Sequence, residues 1–362
     1  MLRGSAALEQ ALAGSHAGVV KCEAWLAGRR IAADLPLLDD ASVSGDSGNF
    51  VRRTASLNFV EELSTGAEAL AKTLARPGAE VRVWRGANIG GIDRLIPVHW
   101  GLAENPKWDW PSRHVSLSSP DLAMRVSFDR FPRPQRSSKG FTVAQQIGAL
   151  VKETLPGVRF VDESADFTAV SDVVWEKDRN DAITKLATAI GCETFFRPDG
   201  AWVLRHVSPV VGLAAHRVRE SVNLADASVE TDWTGVRNHI VAYSDRADGV
   251  AYSGESIDND PTSPTYVFGP LRRRTGYYAS SLFTTNAQCA NTAAALRSRM
   301  QGARVSVAYT ALAHPGVEAG DRHDVIVDGT THRLVLDSFS YNVFGATMQG
   351  SGRSAQALEG VD

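Results

Sequence analysis

The sequence predicts an α+β protein that is mainly β, with two β-barrel-like domains and a small α/β unit of helices and a hairpin between them. Three observations support this fold class. Short apolar–polar alternations, separated by Gly and Pro turns, fill the first third of the chain and return in the last third. Between them the apolar spacing becomes that of amphipathic helices. The length of 362 residues suits two or three domains.

Composition and charge are those of an ordinary globular protein, with 43% hydrophobic residues, 22% charged residues and a formal net charge of −3. The chain as a whole lacks the excess of basic over acidic residues that is typical of proteins that bind nucleic acid or anionic membranes. No apolar run reaches the roughly 18 residues of a transmembrane helix, so we expect no membrane insertion. Three distant cysteines without CxxC spacing indicate buried reduced thiols, not a disulfide framework or a zinc site: Cys22, Cys192 and Cys289.

The first predicted domain covers residues 1–131. Its opening "MLRGSAALEQALAGSHAG" lacks the apolar core of a signal peptide and predicts a short amphipathic helix, so we expect the chain to remain in the cytoplasm or to enter an assembly made there. A hairpin is predicted around Gly28-Arg29. "AEVRVWRGA" predicts a strand with Val81 and Val83 on one face, and "GANIGG" predicts a hairpin loop. A short helix before Pro77 and strands around 96–102 and 114–118 complete a barrel or sandwich.

The second predicted domain covers residues 132–215 and follows the Pro- and Arg-rich connection "DRFPRPQRSSKGF". Thr142 and Gln145 have the spacing of a capping box, and Pro156-Gly157 end the helix that follows. Asp178 is expected to be the N-cap of a second helix. "CETFFRPDGAWVLRHV" then predicts a hairpin that turns at 198–200. Caps, turns and a solvent face account for the polar residues of this unit, which favours a structural role.

The third predicted domain covers residues 216–362. It contains strands, a hairpin near Asp248-Gly249, the extended or loop-like segment "TYVFGPLRRRTGYYAS", and a long helix over 285–301 with Cys289 and Ala293 on its apolar face. A further hairpin is predicted at Asp328-Gly329. The Ser-, Gly- and Ala-rich end "TMQGSGRSAQALEGVD" predicts a flexible tail that meets a partner.

Several clusters contain residue types that can carry chemistry, but each also has a structural interpretation. Seven residues are of metal-ligand type without a metal-binding spacing: His314, Glu318, Asp321, His323, Asp324, Asp328 and His332. Four acidic residues could form a glycosidase pair or lie in loops: Glu153, Asp162, Glu163 and Asp166. Two basic runs could contact phosphate or be solvated: Arg272–Arg274 and Arg133–Arg136. Five tryptophans could bind sugar or pack in interfaces: Trp84, Trp100, Trp108, Trp110 and Trp233. There is no GxSxG or Walker motif.

Four stretches resemble phage tail hub proteins. They are "VWEKDRNDAITKLATAIGCETFFRPDGAWVLRHV", "SLFTTNAQCANTAAALRSRMQGARVSVAYTALAHPGVEAGDRHDVIV", and the pair "VRRTASLNF" and "EVRVWRG", which are similar to the first domain of actinobacteriophage minor tail proteins. The resemblance extends over about residues 17–345. Its motifs are structural, and none is a catalytic signature.

The resemblance implies a structural virion protein at the distal tail tip, assembled in the host cytoplasm. Such hubs form a ring, commonly a homotrimer, that joins the sixfold tail tube or distal tail protein above to a threefold tip, spike or fibre below. The tape measure protein would occupy the channel, and DNA would pass without sequence-specific binding. No enzyme activity, cofactor or metal is expected, and the end at Asp362 without an added lysozyme or peptidase domain agrees with this. The alternatives are a receptor- or glycan-binding tail module that uses Trp108 or Trp110, and a wall hydrolase that uses the acidic residues around Glu153–Asp166.

Overall fold

The computed structural model describes residues 2, 4–12, 14, 18–60, 67–109, 114–170, 172–207, 214–245, 251–280, 283, 285–300 and 304–354. Packing divides the chain into two compact units. Unit 1 comprises the described residues of Met1–Asp226, Tyr309–His323 and Val335–Ser351. Unit 2 comprises those of Ala227–Ala308, Asp324–Leu334 and Gly352–Asp362. The division at residues 131 and 215 stays a prediction.

The described residues form helices and strands in a mainly β, α+β order. The first part contains α1 (Ala6–Leu12), β1 (Gly18–Leu26), β2 (Arg29–Ala32), β3 (Ser42–Asp46), β4 (Arg53–Val60), α2 (Ala67–Leu74), β5 (Glu80–Ile89), β6 (Ile92–Leu102), β7 (Glu104–Asp109), β8 (His114–Pro120) and α3 (Ala123–Phe128). The middle contains β9 (Gln135–Arg136), α4 (Val143–Thr154), β10 (Arg159–Asp162), β11 (Val174–Trp175), α5 (Arg179–Ala189), β12 (Cys192–Phe196) and β13 (Ala201–His206). The last part contains β14 (His216–Arg219), β15 (Leu224–Asp232), β16 (His239–Tyr243), β17 (Ser253–Ile257), β18 (Thr275–Ala279), α6 (Asn286–Met300), β19 (Arg304–Leu312), β20 (Arg322–Val327), β21 (Thr330–Asn342) and β22 (Thr347–Ser354).

Unit 1 contains a four-stranded sheet in the order β2-β1-β5-β6. Two tight turns shape it, because Gly28 after β1 and Gly90-Gly91 after β5 have positive φ values, which glycine adopts without steric cost. The predicted hairpins are therefore confirmed at both positions. Leu8 of α1 is buried against Ala87 and Ile96, so the predicted amphipathic N-terminal helix is confirmed as well. A second sheet of unit 1 contains β21, β3, β4, β8 and β7 in this order. In the described residues these sheets are open.

The α/β unit of the sequence analysis contributes to a hydrophobic core in unit 1. The Thr142 hydroxyl accepts the Gln145 N–H and the Gln145 side chain accepts the Thr142 N–H, so the predicted capping box is present. Helices α4 and α5 pack on one core with β12 and β13, and Trp202 is fully buried there. Asp178 occupies the predicted N-cap position of α5. Its side chain makes no capping hydrogen bond, and its carboxylate pairs with Arg130 at 3.1 Å instead.

The expected exposed connection around residue 132 is more structured than its composition indicated. Phe131 is buried and stacks on Trp175 with ring centroids 6.2 Å apart. The short strands β9 and β11 pair beside it. Helix α3, just before this segment, was not predicted, because its six residues are too short for a periodic apolar pattern.

Unit 2 contains a three-stranded sheet in the order β17-β16-β18, with α6 packed on one face. Ile240 and Ala242 of β16 pack against Cys289 and Ala293 of α6, which confirms the predicted apolar face of that helix. The Thr285 hydroxyl accepts the Gln288 N–H and starts the helix. The hairpin predicted near residue 248 lies outside the described residues, whereas the turn at Asp328-Gly329 is confirmed.

Candidate functional site

A network of buried charges connects distant parts of the chain within unit 1. The Glu193 carboxylate on β12 accepts from Arg52 Nη2 at 2.7 Å and from Arg205 Nε at 2.6 Å. Arg205 Nη1 also lies 3.5 Å from Asp321 Oδ1. Both guanidinium groups lie over the Phe195 ring, with Arg52 4.2 Å and Arg205 4.8 Å from its centroid. Removing one charged side chain from such a buried network leaves its partner's charge uncompensated. These contacts therefore hold the distant segments together.

Arg53 forms a second buried connection beside this network. Its Nη1 donates to the Val98 carbonyl oxygen at 2.7 Å and its Nη2 to the Val317 carbonyl oxygen at 2.8 Å. Its backbone N–H donates to Asp121 Oδ2 at 2.8 Å, and the Ala123 N–H donates to Asp121 Oδ1. Burial raises the pKa of Asp121 to about 7. Sequence reasoning missed this residue pair, although an arginine at an inward-facing position of β4 was a usable signal.

Residues of the two arginine sites also line a small cavity. Its lining is Gly45, Arg52, Arg53, Phe195, Phe196, Glu318, Ala319 and Phe339. The volume of about 10 Å³ has room for one water molecule. Arg52 Nε and Nη1 are buried without a hydrogen-bond partner in the described structure, so a water here would be well held. The cavity is too small for an organic substrate.

Three histidines from separate elements meet in unit 1. The His216 ring centroid lies 5.6 Å from that of His314 and 5.4 Å from that of His323. The Tyr309 hydroxyl contacts His323 Nδ1 at 2.6 Å, and His314 Nε2 contacts Glu9 Oε2 at 3.0 Å. Burial lowers the pKa of His216 to about 4 and that of His323 well below its usual value, so both rings are neutral at pH 7.

The seven residues of metal-ligand type are divided by the fold. His314, Glu318, Asp321 and His323 belong to unit 1, whereas the other three belong to unit 2. In the part of the chain that the structure describes, no three His, Cys, Asp or Glu side chains are arranged to hold a metal ion. The described helices likewise include no segment long and apolar enough to cross a membrane.

The four candidate acidic residues take part in structural pairs. Glu153 accepts from Arg179 Nη1, and the Asp162 carboxylate accepts the Ser164 N–H at 2.9 Å. Glu163 Oε1 lies 3.8 Å from Arg197 Nη1. Hydrogen bonds from Thr168 lower the pKa of Asp166. A glycosidase acid needs the opposite change, a carboxyl whose pKa is raised so that it carries a proton near neutral pH.

Cys192 and His206 form a contact that sequence reasoning did not single out. They pair across the β12–β13 hairpin, and Sγ lies 3.5 Å from Nδ1. Burial raises the pKa of the Cys192 thiol to about 11. A nucleophilic cysteine needs a lowered pKa, so this thiol stays protonated and unreactive at neutral pH. All three cysteines are free and buried.

The tryptophans are used mainly in packing. The Arg82 guanidinium lies between two indoles, 3.6 Å from the Trp100 ring centroid and 4.0 Å from that of Trp25. Trp100 also meets Phe196 edge-on. These contacts leave little of the Trp100 ring for a sugar. Trp108 is 37% exposed, and Trp110 lies outside the described residues.

The basic runs are partly neutralised. Arg136 forms a two-point ion pair with Asp172, and Arg274 donates to the Trp233 carbonyl oxygen. Arg272 and Arg273 are exposed. They precede β18, where Tyr277 is 74% exposed, and Phe268 in the same segment is 62% exposed. These exposed aromatic residues are candidates for subunit contacts, because aromatic side chains and arginine are enriched at protein interfaces.

Comparison with known proteins gives matches in structure only: no protein-family model and no curated protein sequence matches the chain. The tail protein from Neisseria meningitidis MC58 is 15% identical, with a TM-score of 0.62 over 93% of this chain and 97% of that one. The 43 kDa tail protein of prophage MuSo2 from Shewanella oneidensis is 16% identical, with a TM-score of 0.64 over 93% and 98%. Prophage tail protein gp18 from Listeria monocytogenes EGD-e is 11% identical, with a TM-score of 0.61 over 95% and 96%.

The chain therefore has the fold of phage tail proteins. More narrowly, it has the mainly β, α+β architecture that the sequence predicted.

Proposed function

We propose that the chain is a structural component of a phage tail, a hub subunit at the distal end of the tail tube. The observation that carries this proposal is the shared fold with three tail proteins over at least 93% of this chain and 96% of each of theirs. The match leaves no large part of either chain for an unrelated domain. The low identities mean that the fold, and not residue conservation, supports the proposal.

In this role three copies form a ring that joins the sixfold tube above to a threefold tip, spike or fibre below and surrounds the DNA exit channel. Large apolar side chains remain exposed on the described surface, as expected when neighbouring subunits cover them: Phe128, Phe167, Phe268 and Tyr277. The formal net charge of −3 suits a wall along which DNA and a tape measure protein pass without being held.

The function proposed is non-catalytic. The carboxylates around Glu153 are engaged in structural pairs, and the Cys192 thiol is deactivated by its raised pKa. We expect purified protein to leave host peptidoglycan intact in a turbidity assay. Lysis that disappears on Asp162→Ala or Glu163→Ala substitution would support the hydrolase alternative instead.

The experiment that tests the hub proposal is a mass measurement by light scattering combined with negative-stain imaging of the purified chain. A mass of three subunits and a threefold ring are the expected result. A species that stays monomeric at every concentration, and that is absent from purified virions by mass spectrometry, would contradict the proposal. Glycan binding that Trp108→Ala abolishes in a folded protein would favour the receptor-binding alternative.

A further inference from the structure

The three-stranded sheet of unit 2 has two edges that no described strand covers. β18 forms one edge and β17 the other, with β16 between them. On β18 the backbone groups of alternate residues point toward β16, because the His239 N–H donates to the Arg274 carbonyl and the Ser280 N–H donates to the Tyr243 carbonyl. The N–H and C=O groups of Thr275, Tyr277 and Ala279 therefore point away from the sheet.

The outer side of β17 is defined in the same way. The Ser244 N–H donates to the Tyr252 carbonyl at 2.8 Å, and the Asp258 N–H donates to the Asn238 carbonyl at 2.9 Å. Ser253, Glu255 and Ile257 consequently direct their backbone groups outward. The Ser253 N–H is bonded to Asn286 Oδ1, so the central and last residues of this edge remain available.

Edge strands usually carry charges, a proline or a bulge that prevents pairing with another chain. β18 has the sequence TGYYA, which contains neither a charged residue nor proline. Its central residue, Tyr277, is 74% exposed. This edge is therefore suited to accept a strand.

The two edges are complementary to each other in length, direction and charge. Each strand has five residues, and β17 is antiparallel to β16 whereas β18 is parallel to it. When a second sheet continues the first in the same orientation, β18 meets the neighbouring β17 in the antiparallel direction. With the strands aligned centre to centre, Tyr277 lies opposite Glu255 of the second copy. The segment before β18, which contains Arg272, then comes to the same end of the strand pair as the segment after the second copy's β17, which contains Asp260. Arg272 is exposed, and hydrogen bonds from Thr262 lower the pKa of Asp260 and keep it ionised.

We propose that β18 of one copy pairs with β17 of a second copy, so that the three-stranded sheets of successive subunits join edge to edge. This inference rests on the proposed function, because a contact between two different surfaces can close a ring of three whereas a contact of one surface with itself stops at a dimer. Main-chain hydrogen bonds supply the pairing, and the opposite charges of Arg272 and Asp260 at the same end of the strand pair favour the antiparallel direction.

Disulfide trapping tests the pairing directly. Opposite residues of an antiparallel pair have Cα atoms about 4.5–5.5 Å apart, a separation that a disulfide spans. The native cysteines are buried. The double variant Glu255→Cys with Tyr277→Cys should form covalent dimers and trimers on mild oxidation. An equimolar mixture of the two single variants should form dimers only. Neither single variant alone should cross-link.

A matched control combines Glu255→Cys with Phe268→Cys, which places an exposed thiol outside the edge strand. This control should not cross-link above background. Cross-linking of Tyr277→Cys with itself would show a self-complementary contact and overturn the inference. No cross-link in the double variant, when the wild-type mass is that of a trimer, would overturn the inference and leave the hub proposal standing. No cross-link together with a monomeric mass would overturn the inference, and absence of the protein from purified virions would then contradict the hub proposal as well.

Discussion

Arg53 donates from its Nη2 atom to the carbonyl oxygen of Val317, a residue 264 positions further along the chain, at 2.8 Å. Both residues belong to unit 1, and the guanidinium is buried. The same guanidinium donates to the Val98 carbonyl oxygen, so one side chain satisfies backbone oxygens from two distant segments. The early and late parts of the chain therefore share one folded unit.

We predict that Arg53→Met lowers the free energy of unfolding by about 3 kcal/mol or more. The methionine keeps much of the apolar stem, but two buried carbonyl oxygens lose charged donors worth about 1.5–3 kcal/mol each. Urea unfolding followed by circular dichroism measures the change. Arg29→Met, at an exposed position on β2, is the matched control and should shift the free energy by less than about 0.5 kcal/mol. Equal unfolding midpoints for the two variants would contradict the prediction.

The Arg82 guanidinium between Trp25 and Trp100 is expected to contribute a cation–π term of about 1–2 kcal/mol. We predict that Arg82→Met destabilises the protein by roughly this amount and changes tryptophan fluorescence, because both indole environments change. Arg82→Lys should give a smaller loss, since an ammonium keeps the charge but not the planar stacking. Unchanged fluorescence together with unchanged stability in Arg82→Met would show that the stacking of Arg82 between Trp25 and Trp100 does not stabilise the protein.

Gly200 and Gly191 allow a comparison of backbone strain with a steric clash. Both have positive φ values, 83° and 67°. A Cβ at Gly200 would lie 2.3 Å from Cζ3 of Trp100, whereas nothing lies within 4 Å of a Cβ at Gly191. Gly191→Ala should therefore cost about 1–2 kcal/mol from backbone conformation alone, and Gly200→Ala should cost clearly more. Thermal unfolding of the two variants checks this order. Equal losses would mean that the Trp100 ring moves aside easily.

His99 is expected to make stability depend on pH. Its ring is fully buried beside Ser119, and burial, with Arg53 nearby, lowers its pKa to about 3. The folded state therefore binds this proton less readily than the unfolded chain, whose histidine pKa is about 6.5. The stabilisation that neutral His99 gives to the folded state is present in full above pH 6.5. It is lost as the pH falls toward 3, and the free energy of unfolding decreases by about 1.4 kcal/mol per pH unit. In urea unfolding between pH 8 and pH 4, the free energy of unfolding should decrease less for His99→Gln than for the wild type. Parallel curves for the two proteins would contradict this.

Local structure could be read from the sequence where a short segment determines its own conformation. The capping box at Thr142 and the turn glycines at positions 28 and 200 are examples, because each depends on hydrogen bonds or φ angles within a few residues. Helix α6 was predicted for the same reason, from its apolar spacing. Asp178 shows the limit of such reasoning, because its carboxylate forms an ion pair with Arg130, which lies outside the helix.

Contacts between distant segments could not be read in this way. Glu193 was assigned to a hairpin with no special role, yet it joins Arg52 and Arg205 in the buried network. The seven residues of metal-ligand type looked like one cluster along the chain, yet the fold divides them between two units. Arg52 and Glu193 are 141 positions apart, and spacing in sequence carries no information about an encounter over such a distance.

The sequence by itself determined that the protein is mainly β with a helical α/β segment, where several turns and caps lie, and which family of folds it resembles. The fold class, turns and caps follow from side-chain periodicity and from local backbone preferences, which act within a few residues, whereas the family is known only through the resemblance of whole stretches of sequence. Only the tertiary structure decided that Arg53 and Val317 meet, that His99 is buried, and that β17 and β18 leave the edges of a sheet open. These properties depend on which surfaces pack together when the whole chain excludes water, and that choice is made by the complete set of long-range contacts.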